Sequence, residues 1–212
     1  VALMSSDMAP LLDDNGKPVP EMVKTMLAAY HRLPSSEQAK TAILAPNYNT
    51  LKGRVYPGNT PFFVPTTIAS GQLVKTAAWK EVGFYKEDLF IACVDHEFSF
   101  RMLRAGYRIL LVPTCFLEAT AGPNPVKHSI LGRKFVVPNY HPDRYYYTFR
   151  NSVYLYKTYW RYVPGWIFRN MISSVATYAK ILFFEGQKLR KTKMIVRGCF
   201  DGVRNKLGKL VY

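Results

Sequence analysis

Short apolar runs alternate with helix-like segments over the first 120 residues, and this alternation restricts the fold more than any other feature. Thr41 to Ala45 and Arg108 to Val112 are each predicted to form a short buried strand that a proline, Pro46 or Pro113, brings to an end. Apolar residues at helical spacing predict helices over Glu21 to Arg32, Thr76 to Val82 and Asp95 to Gly106. Such alternation is typical of an α/β domain with layered helices and sheet.

The remaining segments are less regular at first and then strongly helical. Thr50 to Thr67 predicts irregular strands or a hairpin, and Pro123 to Pro142 a loop. Long helices are predicted over Asp143 to Tyr162, Pro164 to Gln187 and Lys188 to Gly208. The apolar run Val1 to Met4, followed at once by polar residues, resembles a buried parallel strand. We therefore expect an amino-terminal portion with earlier strands to precede Val1.

The positive charge is concentrated in the second part of the chain. The whole sequence has a net charge of +15; residues 1–125 hold 12 basic and 11 acidic side chains, and residues 126–212 hold 17 and 3, so the two parts carry +1 and +14. Such asymmetry indicates an acidic partner, either nucleic acid or an anionic membrane. The three cysteines lack metal-ligand spacing, which favours neither a disulfide scaffold nor a zinc module and fits a reducing compartment.

The segment from Phe84 to Tyr107 is the richest in chemically active side chains. Asp95 and Glu97 lie at the start of the predicted helix, where the backbone amides favour carboxylates. Asp95 could be the helix N-cap, and Glu97 could pair with Arg101 four residues later. The spacing alone is compatible with a purely structural role for all three residues.

A series of short motifs resembles the carboxyl-terminal part of the catalytic domain in glycosyltransferase family 2, in its rhamnosyltransferase-like branch. The resemblance covers residues 1 to 208. The motifs follow in order: Ser70-Gly71, Gly83-Phe84, Leu89-Phe90-Ile91, Val94-Asp95-His96-Glu97, Arg101, Gly106-Tyr107, His128-Ser129-Ile130-Leu131-Gly132, Arg144-Tyr145-Tyr146, Arg150-Asn151, Gly198-Cys199-Phe200-Asp201-Gly202 and Gly208.

The resemblance implies a GT-A fold, an α/β architecture with a mostly parallel sheet and flanking helices, in which a nucleotide-sugar lies across the carboxyl ends of the strands. The nucleotide-binding half would precede Val1. On this basis residues 1–125 are the carboxyl-terminal part of the catalytic domain. Residues 126–151 are a loop that covers the active site and the start of a helical region, and residues 152–212 a basic, aromatic-rich helical tail for membrane-surface association.

The resemblance also implies an inverting sugar transfer with Asp95 as the general base, and Glu97 either orienting the acceptor or holding Arg101. Ser5-Ser6-Asp7 occupies the place of an acidic motif that binds Mg²⁺ or Mn²⁺, so Asp7 is the carboxylate that remains there. Asp7 could equally be a turn or cap residue. His128 lies where related enzymes supply a late ligand to the metal or diphosphate, although a lone histidine in a loop is often a surface residue.

Five residues are candidates for contacts with donor or acceptor: Ser70, Gly71, Arg101, Arg144 and Arg150. Ser70 and Gly71 match a small-residue turn beside the two substrates, and the alternative is simply a tight turn. Arg144 and Arg150, which lie among tyrosines in the sequence, could clamp the diphosphate or stack under a sugar. Arg101, in the motif that begins at Val94, could also contact a substrate. Alternatively, the tyrosines pack against the domain while Arg144 and Arg150 stay solvated.

The basic tail suggests where the protein works. Aromatic residues interleaved with cations favour an anionic membrane surface, and an enzyme peripheral to the cytoplasmic face of the cell membrane would meet a polyprenyl-linked glycan acceptor there. The resemblance implies dTDP-rhamnose as the donor. A solvated extension or an oligomer contact is an alternative for the tail. Two further functions stay open, a non-catalytic membrane-docking module and a nucleic-acid-binding protein, although the sequence has no nucleic-acid-binding signature.

Overall fold

The computed structural model divides the chain into two compact units. It describes residues 8–10, 20–50, 53–118, 126–130 and 133–211. The first unit comprises Val1–Tyr85 and Asp95–Thr120, and the second comprises Lys86–Val94 and Ala121–Tyr212. The presumed first strand, Val1 to Met4, lies outside the described residues.

The first unit is a mixed α/β domain. Its elements are β1 (Met8–Pro10), α1 (Pro20–His31), α2 (Ser35–Lys40), β2 (Thr41–Thr50), β3 (Gly53–Arg54), β4 (Phe62–Val64), β5 (Leu73–Lys75), α3 (Thr76–Val82), α4 (Val94–Arg104) and β6 (Arg108–Glu118). The sheet has the order β1-β5-β2-β6-β4, with β3 beside β2. The predicted α/β class is confirmed.

The described strands pair mostly antiparallel, whereas the sequence analysis expected a mostly parallel sheet. β2 and β6 are parallel, and the pairs β1–β5, β2–β5, β2–β3 and β4–β6 are antiparallel. A parallel pair needs a long crossover connection. The chain between β2 and β6 supplies one, since it contains α3 and α4.

Helices cover both faces of this sheet. In β2, Ile43 packs in one core with Phe98 of α4, whereas Leu44 packs in a second core with Met26 of α1. All four side chains are fully buried. β6 alternates between the two cores in the same way. Successive residues of a strand point to opposite faces, so the arrangement is a three-layer sandwich with the sheet in the middle.

Both central strands continue through the prolines that were predicted to end them. β2 extends past Pro46 to Thr50, and β6 extends past Pro113 to Glu118. The register shifts between Pro46 and Asn47, because Pro46 lies opposite Val112 but Asn47 lies opposite Phe116. This irregularity accommodates residues that lack an N–H donor.

The second unit is built on three long helices. It contains a 3₁₀ turn (Glu87–Leu89), a hairpin of β7 (Val126–Ile130) and β8 (Arg133–Val137), and the helices α5 (Pro142–Tyr159), α6 (Pro164–Phe184) and α7 (Lys188–Val203). The three predicted helices are confirmed, and α5 continues without a break past residue 151. A loop was predicted from Pro123 to Pro142, and this prediction was wrong where the β7–β8 hairpin lies. The hairpin was missed because each of its strands has only five residues and gives a weak pattern.

Two glycines let α7 lie directly against the backbone of α5. A Cβ atom on Gly198 would lie 2.5 Å from the Tyr146 carbonyl oxygen, and one on Gly202 would lie 2.5 Å from the Arg150 carbonyl oxygen. Between them, the Asp201 carboxylate accepts a hydrogen bond of 2.8 Å from the Tyr146 hydroxyl. The Gly198–Gly202 motif therefore sets the separation of these two helices.

A buried ion pair holds the connection between α6 and α7. Lys191 Nζ lies 2.6 Å from the Glu185 carboxylate, and the two side chains are only 3% and 1% exposed. The Tyr145 hydroxyl donates to the same carboxylate at 2.6 Å, and Lys191 also donates to Asn139 at 2.8 Å. Buried charges of this kind are tolerated when paired and hydrogen-bonded, so this network fixes the start of α7.

We expect Gly198→Ala to destabilise the protein by about 1–3 kcal/mol, because the new methyl group forces two packed backbones apart. Gly165→Ala is the matched control in α6, where the added Cβ would meet only Arg169 Nη1 at 3.8 Å. The control should leave stability unchanged or raise it by less than about 1 kcal/mol. Urea unfolding followed by circular dichroism measures both. Equal stabilities for the two variants would contradict the close packing of α5 and α7.

Candidate functional site

Asp95 lies in the first turn of α4, one residue inside the helix rather than at the N-cap position. Its side chain is half-buried. Among the residues that the structure describes, the carboxylate forms no hydrogen bond and no ion pair. A carboxylate in the first turn is stabilised by the helix dipole and needs no cation. Within the described ranges, no other side chain therefore occupies this carboxylate.

Glu97, two residues later, is fully occupied by Arg101. It is 2% exposed, and its carboxylate accepts hydrogen bonds from Arg101 Nε at 3.1 and 3.3 Å and from Nη2 at 2.9 Å. The predicted pairing of these residues is confirmed. The guanidinium also donates to the carbonyl oxygens of Val82, Gly83 and Phe84, at 2.6, 3.1 and 2.8 Å. Arg101 thus holds the chain after α3 against α4; its contact with a substrate stays a prediction.

His96 connects the start of α4 to the loop after β4. Its Nδ1 lies 2.7 Å from Oγ1 of the buried Thr66. Burial lowers the pKa of His96 below its usual 6.5, and the charge of Asp95 opposes this shift without cancelling it. His96 is therefore neutral at pH 7. No pattern in the sequence indicates this contact, because Thr66 and His96 are thirty residues apart.

Tyr85 places a buried hydroxyl near the same carboxylate. Its ring packs 4.7 Å from the ring of Phe98, and its hydroxyl has no hydrogen-bond partner among the described residues. Burial raises the pKa of Tyr85 strongly, and the negative charge of Asp95 raises it further. A protonated tyrosine and a neutral histidine therefore flank the Asp95 carboxylate.

Ser70 and Gly71 form a tight turn that Tyr48 holds in place. The Tyr48 hydroxyl lies 2.9 Å from the carbonyl oxygens of both Ile68 and Ser70. Gly71 has a φ of +73°, and a Cβ atom there would collide with the Leu117 side chain. The turn therefore requires glycine for internal reasons. A contact between this turn and a ligand stays a prediction.

The two arginines of the second unit have different environments. Arg144 is half-exposed at the start of α5, with its guanidinium 4.7 Å from the centre of the Tyr140 ring. Arg150 is 1% exposed and donates to Asn151 Oδ1 and to the carbonyl oxygens of Asp88, Leu89 and Gly208. The alternative that both arginines stay solvated is wrong for Arg150. Its contacts give it a structural role that the sequence analysis did not foresee.

The segment just before Asp95 has an unusual backbone. Phe90, Ala92 and Cys93 have φ values of 62°, 67° and 60°, which are uncommon for residues with a side chain. Arg150 and Asn151 hold this segment: Asn151 Nδ2 lies 2.9, 2.9 and 2.8 Å from the carbonyl oxygens of Leu89, Ile91 and Ala92. Strained backbone persists where its surroundings fix it, often at functional sites. In the sequence, the Arg150-Asn151 motif was the feature that pointed to these two side chains, and it did not indicate the unusual backbone that they hold.

The predicted metal ligands lie outside what the structure describes. Asp7 is not among the described residues, and His128 is described only as a β7 residue opposite Phe135 of β8. Within the described residues, no group of three or more His, Cys, Asp or Glu side chains is arranged to hold a metal ion. A metal site on Asp7 and His128 therefore stays a prediction.

Comparison with known proteins supports the family resemblance that was based on the motifs. A curated dTDP-rhamnosyl transferase, RfbF of Shigella flexneri, is 30% identical over 158 residues, which cover 74% of this chain. The resemblance to a rhamnosyltransferase-like glycosyltransferase is confirmed. The chain spans about half of that relative, 51% of its length. No protein-family model matches the chain.

One solved structure aligns with most of the chain. It is a crystal structure of GalNAc-T7 with UDP, GalNAc and Mn²⁺, which is 12% identical to this chain. The alignment covers 93% of this chain and 40% of the other, with a TM-score of 0.48.

The buried, neutral His96 predicts a pH-dependent stability. Its folded-state pKa is below the unfolded value, so the unfolded chain binds the extra proton and the free energy of unfolding falls as the pH drops below about 6.5. His96→Gln should remove this contribution, and urea unfolding between pH 7.5 and 5 should show a shallower loss of stability than in the parent. His31→Gln, at an exposed position, controls for loss of a histidine. Parallel curves for the parent and His96→Gln would contradict the assignment.

Proposed function

We propose that the protein is an inverting glycosyltransferase in which Asp95 is the general base. The observation that carries the proposal is the difference between two carboxylates on one helix. Glu97 is buried and bound by Arg101, whereas the half-buried Asp95 has no partner among the described residues. The similarity to a dTDP-rhamnosyl transferase supports the reaction class.

In the proposed reaction, the Asp95 carboxylate is the base. Asp95 takes the proton of an acceptor hydroxyl while the hydroxyl oxygen attacks the anomeric carbon of the donor. The bond from that carbon to the diphosphate oxygen breaks on the opposite face, so the configuration inverts. The transition state has oxocarbenium character. We assign the proton to the Asp95 carboxylate rather than to the neutral His96, because His96 Nδ1 is already engaged by Thr66 Oγ1 at 2.7 Å.

The proposed donor is dTDP-rhamnose, as the name of the Shigella relative suggests. The proposed acceptor is a glycan or a polyprenyl-linked glycan in the synthesis of a cell-surface polysaccharide. Its attacking group is a sugar hydroxyl, which requires a base to become a good nucleophile. Asp95 supplies this base.

The negative charge of the leaving diphosphate needs compensation. We propose that Asp7 and His128 bind Mg²⁺ or Mn²⁺ and that Arg144 contacts the diphosphate, while the Ser70–Gly71 turn lies beside the sugar. The ion, when bound, would offset the charge that develops on the departing diphosphate.

Asp95→Asn should lower the rate of sugar transfer by about 10²–10⁴-fold, because the amide cannot accept the proton. The rate is measured as acceptor-dependent release of dTDP from dTDP-rhamnose by the complete protein. Donor affinity, measured by calorimetry, should stay within about twofold of the parent, since the base acts on the acceptor.

Asp88→Asn is the matched control for this substitution. The Asp88 side chain is 66% exposed and pairs only with Lys86 at 3.5 Å among the described residues, so its loss should leave turnover at the parent level. Parent-like turnover in Asp95→Asn would remove Asp95 from the role of base. Absence of turnover in the parent itself with any nucleotide-sugar would favour a non-catalytic docking protein.

Mn²⁺ binding tests the metal ligands separately from activity. In the presence of dTDP, Asp7→Asn and His128→Gln should each weaken Mn²⁺ affinity about tenfold or more, since each removes one ligand. Electron paramagnetic resonance of free Mn²⁺ gives the dissociation constant. Asp88→Asn should bind Mn²⁺ like the parent. Unchanged affinity in both ligand variants would show that the ion, if bound, is held elsewhere.

A further inference from the structure

α6 presents an apolar stripe to solvent along its whole length. Six large side chains on it are 37–73% exposed and recur at steps that keep them on one side of the helix: Phe168, Met171, Ile172, Val175, Leu182 and Phe183. Only Ile167 and Ile181 of its 21 residues are buried. An amphipathic helix of a globular domain normally turns its apolar side inward, and a long exposed apolar stripe marks an interaction surface.

The rest of the second unit contacts α6 from the other side. Tyr156 of α5 donates to Asn170 at 2.6 Å, and Tyr178 donates to Thr192 of α7 at 3.4 Å. Ile181 packs in a core that also contains Tyr145. Asn170 and Ile181 lie on the side of the helix away from the exposed stripe, and Tyr178 lies at the edge of the stripe. The helix is therefore already anchored, and its apolar stripe is not needed for that packing.

Positive charge accompanies this stripe. α6 contains no acidic residue, and Arg169 and Lys180 are exposed along one flank. The beginning of α7 adds the exposed Lys188, Arg190 and Lys193. Leu189, between two of these cations, is 89% exposed. Residues 126–212 carry a net charge of +14, so the surroundings of the stripe attract an anionic partner.

We propose that α6 lies flat in an anionic lipid surface, with its apolar stripe among the acyl chains and the flanking cations at the lipid phosphates. A helix of 21 residues is about 32 Å long, and helices that combine an apolar stripe with flanking cations bind membranes in this way. Of the helices in the described part of the chain, none is long and apolar enough to cross a bilayer. Exposed Trp160 and Tyr162, just before α6, are residue types that favour the headgroup region.

Vesicle flotation with the full 212-residue chain tests the proposal. The parent should float with vesicles of equal parts phosphatidylglycerol and phosphatidylcholine and bind pure phosphatidylcholine far more weakly. Val175→Glu, at a position 72% exposed in the middle of the stripe, should lower the partition coefficient about tenfold or more, because a charge must enter the apolar layer. Ser173→Glu is the matched control, since it adds the same charge at an exposed position of α6 outside the stripe; beside Arg169 on the cationic flank it weakens only the charge attraction, so it should lose less than Val175→Glu.

Three outcomes would overturn the proposal. The parent could fail to float with anionic vesicles, or Val175→Glu and Ser173→Glu could lose binding equally, which would leave only general charge attraction. Sedimentation velocity could instead show a dimer that Val175→Glu dissociates while vesicles are not bound, which would make a second copy the occupant. The proposal is independent of sugar transfer, so Asp95→Asn should float like the parent.

Discussion

The ion pair between Glu97 and Arg101 is the contact on which the proposed chemistry depends. It neutralises a buried carboxylate, and through Arg101 it ties the three carbonyl oxygens of Val82–Phe84 to α4. Asp95, six residues before Arg101 in α4, keeps its carboxylate unpaired among the described residues. The two carboxylates of this helix thus have different surroundings, a common basis for dividing acid–base work.

A second set of contacts holds the chain that leads into Asp95. Arg150 and Asn151 bind carbonyl groups of residues 88 to 92, where three residues with side chains adopt positive φ angles. The glycines of α7 let that helix pack closely on α5, which carries both residues. The motifs that carry the family resemblance therefore include packing residues as well as candidate catalytic ones.

Sequence reasoning predicted the helices better than the strands. α1, α3 and α4 lie within two residues of their predicted bounds, because a helix repeats its pattern over several turns. The ends of β2 and β6 were wrong because both strands tolerate a proline at an irregular position, and the β7–β8 hairpin was too short to give a pattern. The Glu97–Arg101 pair was predictable since its spacing is local. The Thr66–His96 contact was not, because only the tertiary fold joins residues so far apart.

Asp95 can act as the general base only if its carboxylate faces the acceptor. A crystal structure of the complete protein with a non-transferable dTDP-sugar and an acceptor tests it most directly. We expect the reacting hydroxyl oxygen to lie about 2.6–3.2 Å from an Asp95 carboxylate oxygen, on the face of the sugar opposite the diphosphate. An acceptor hydroxyl bound to a different base, with the Asp95 side chain turned away from both substrates, would contradict it.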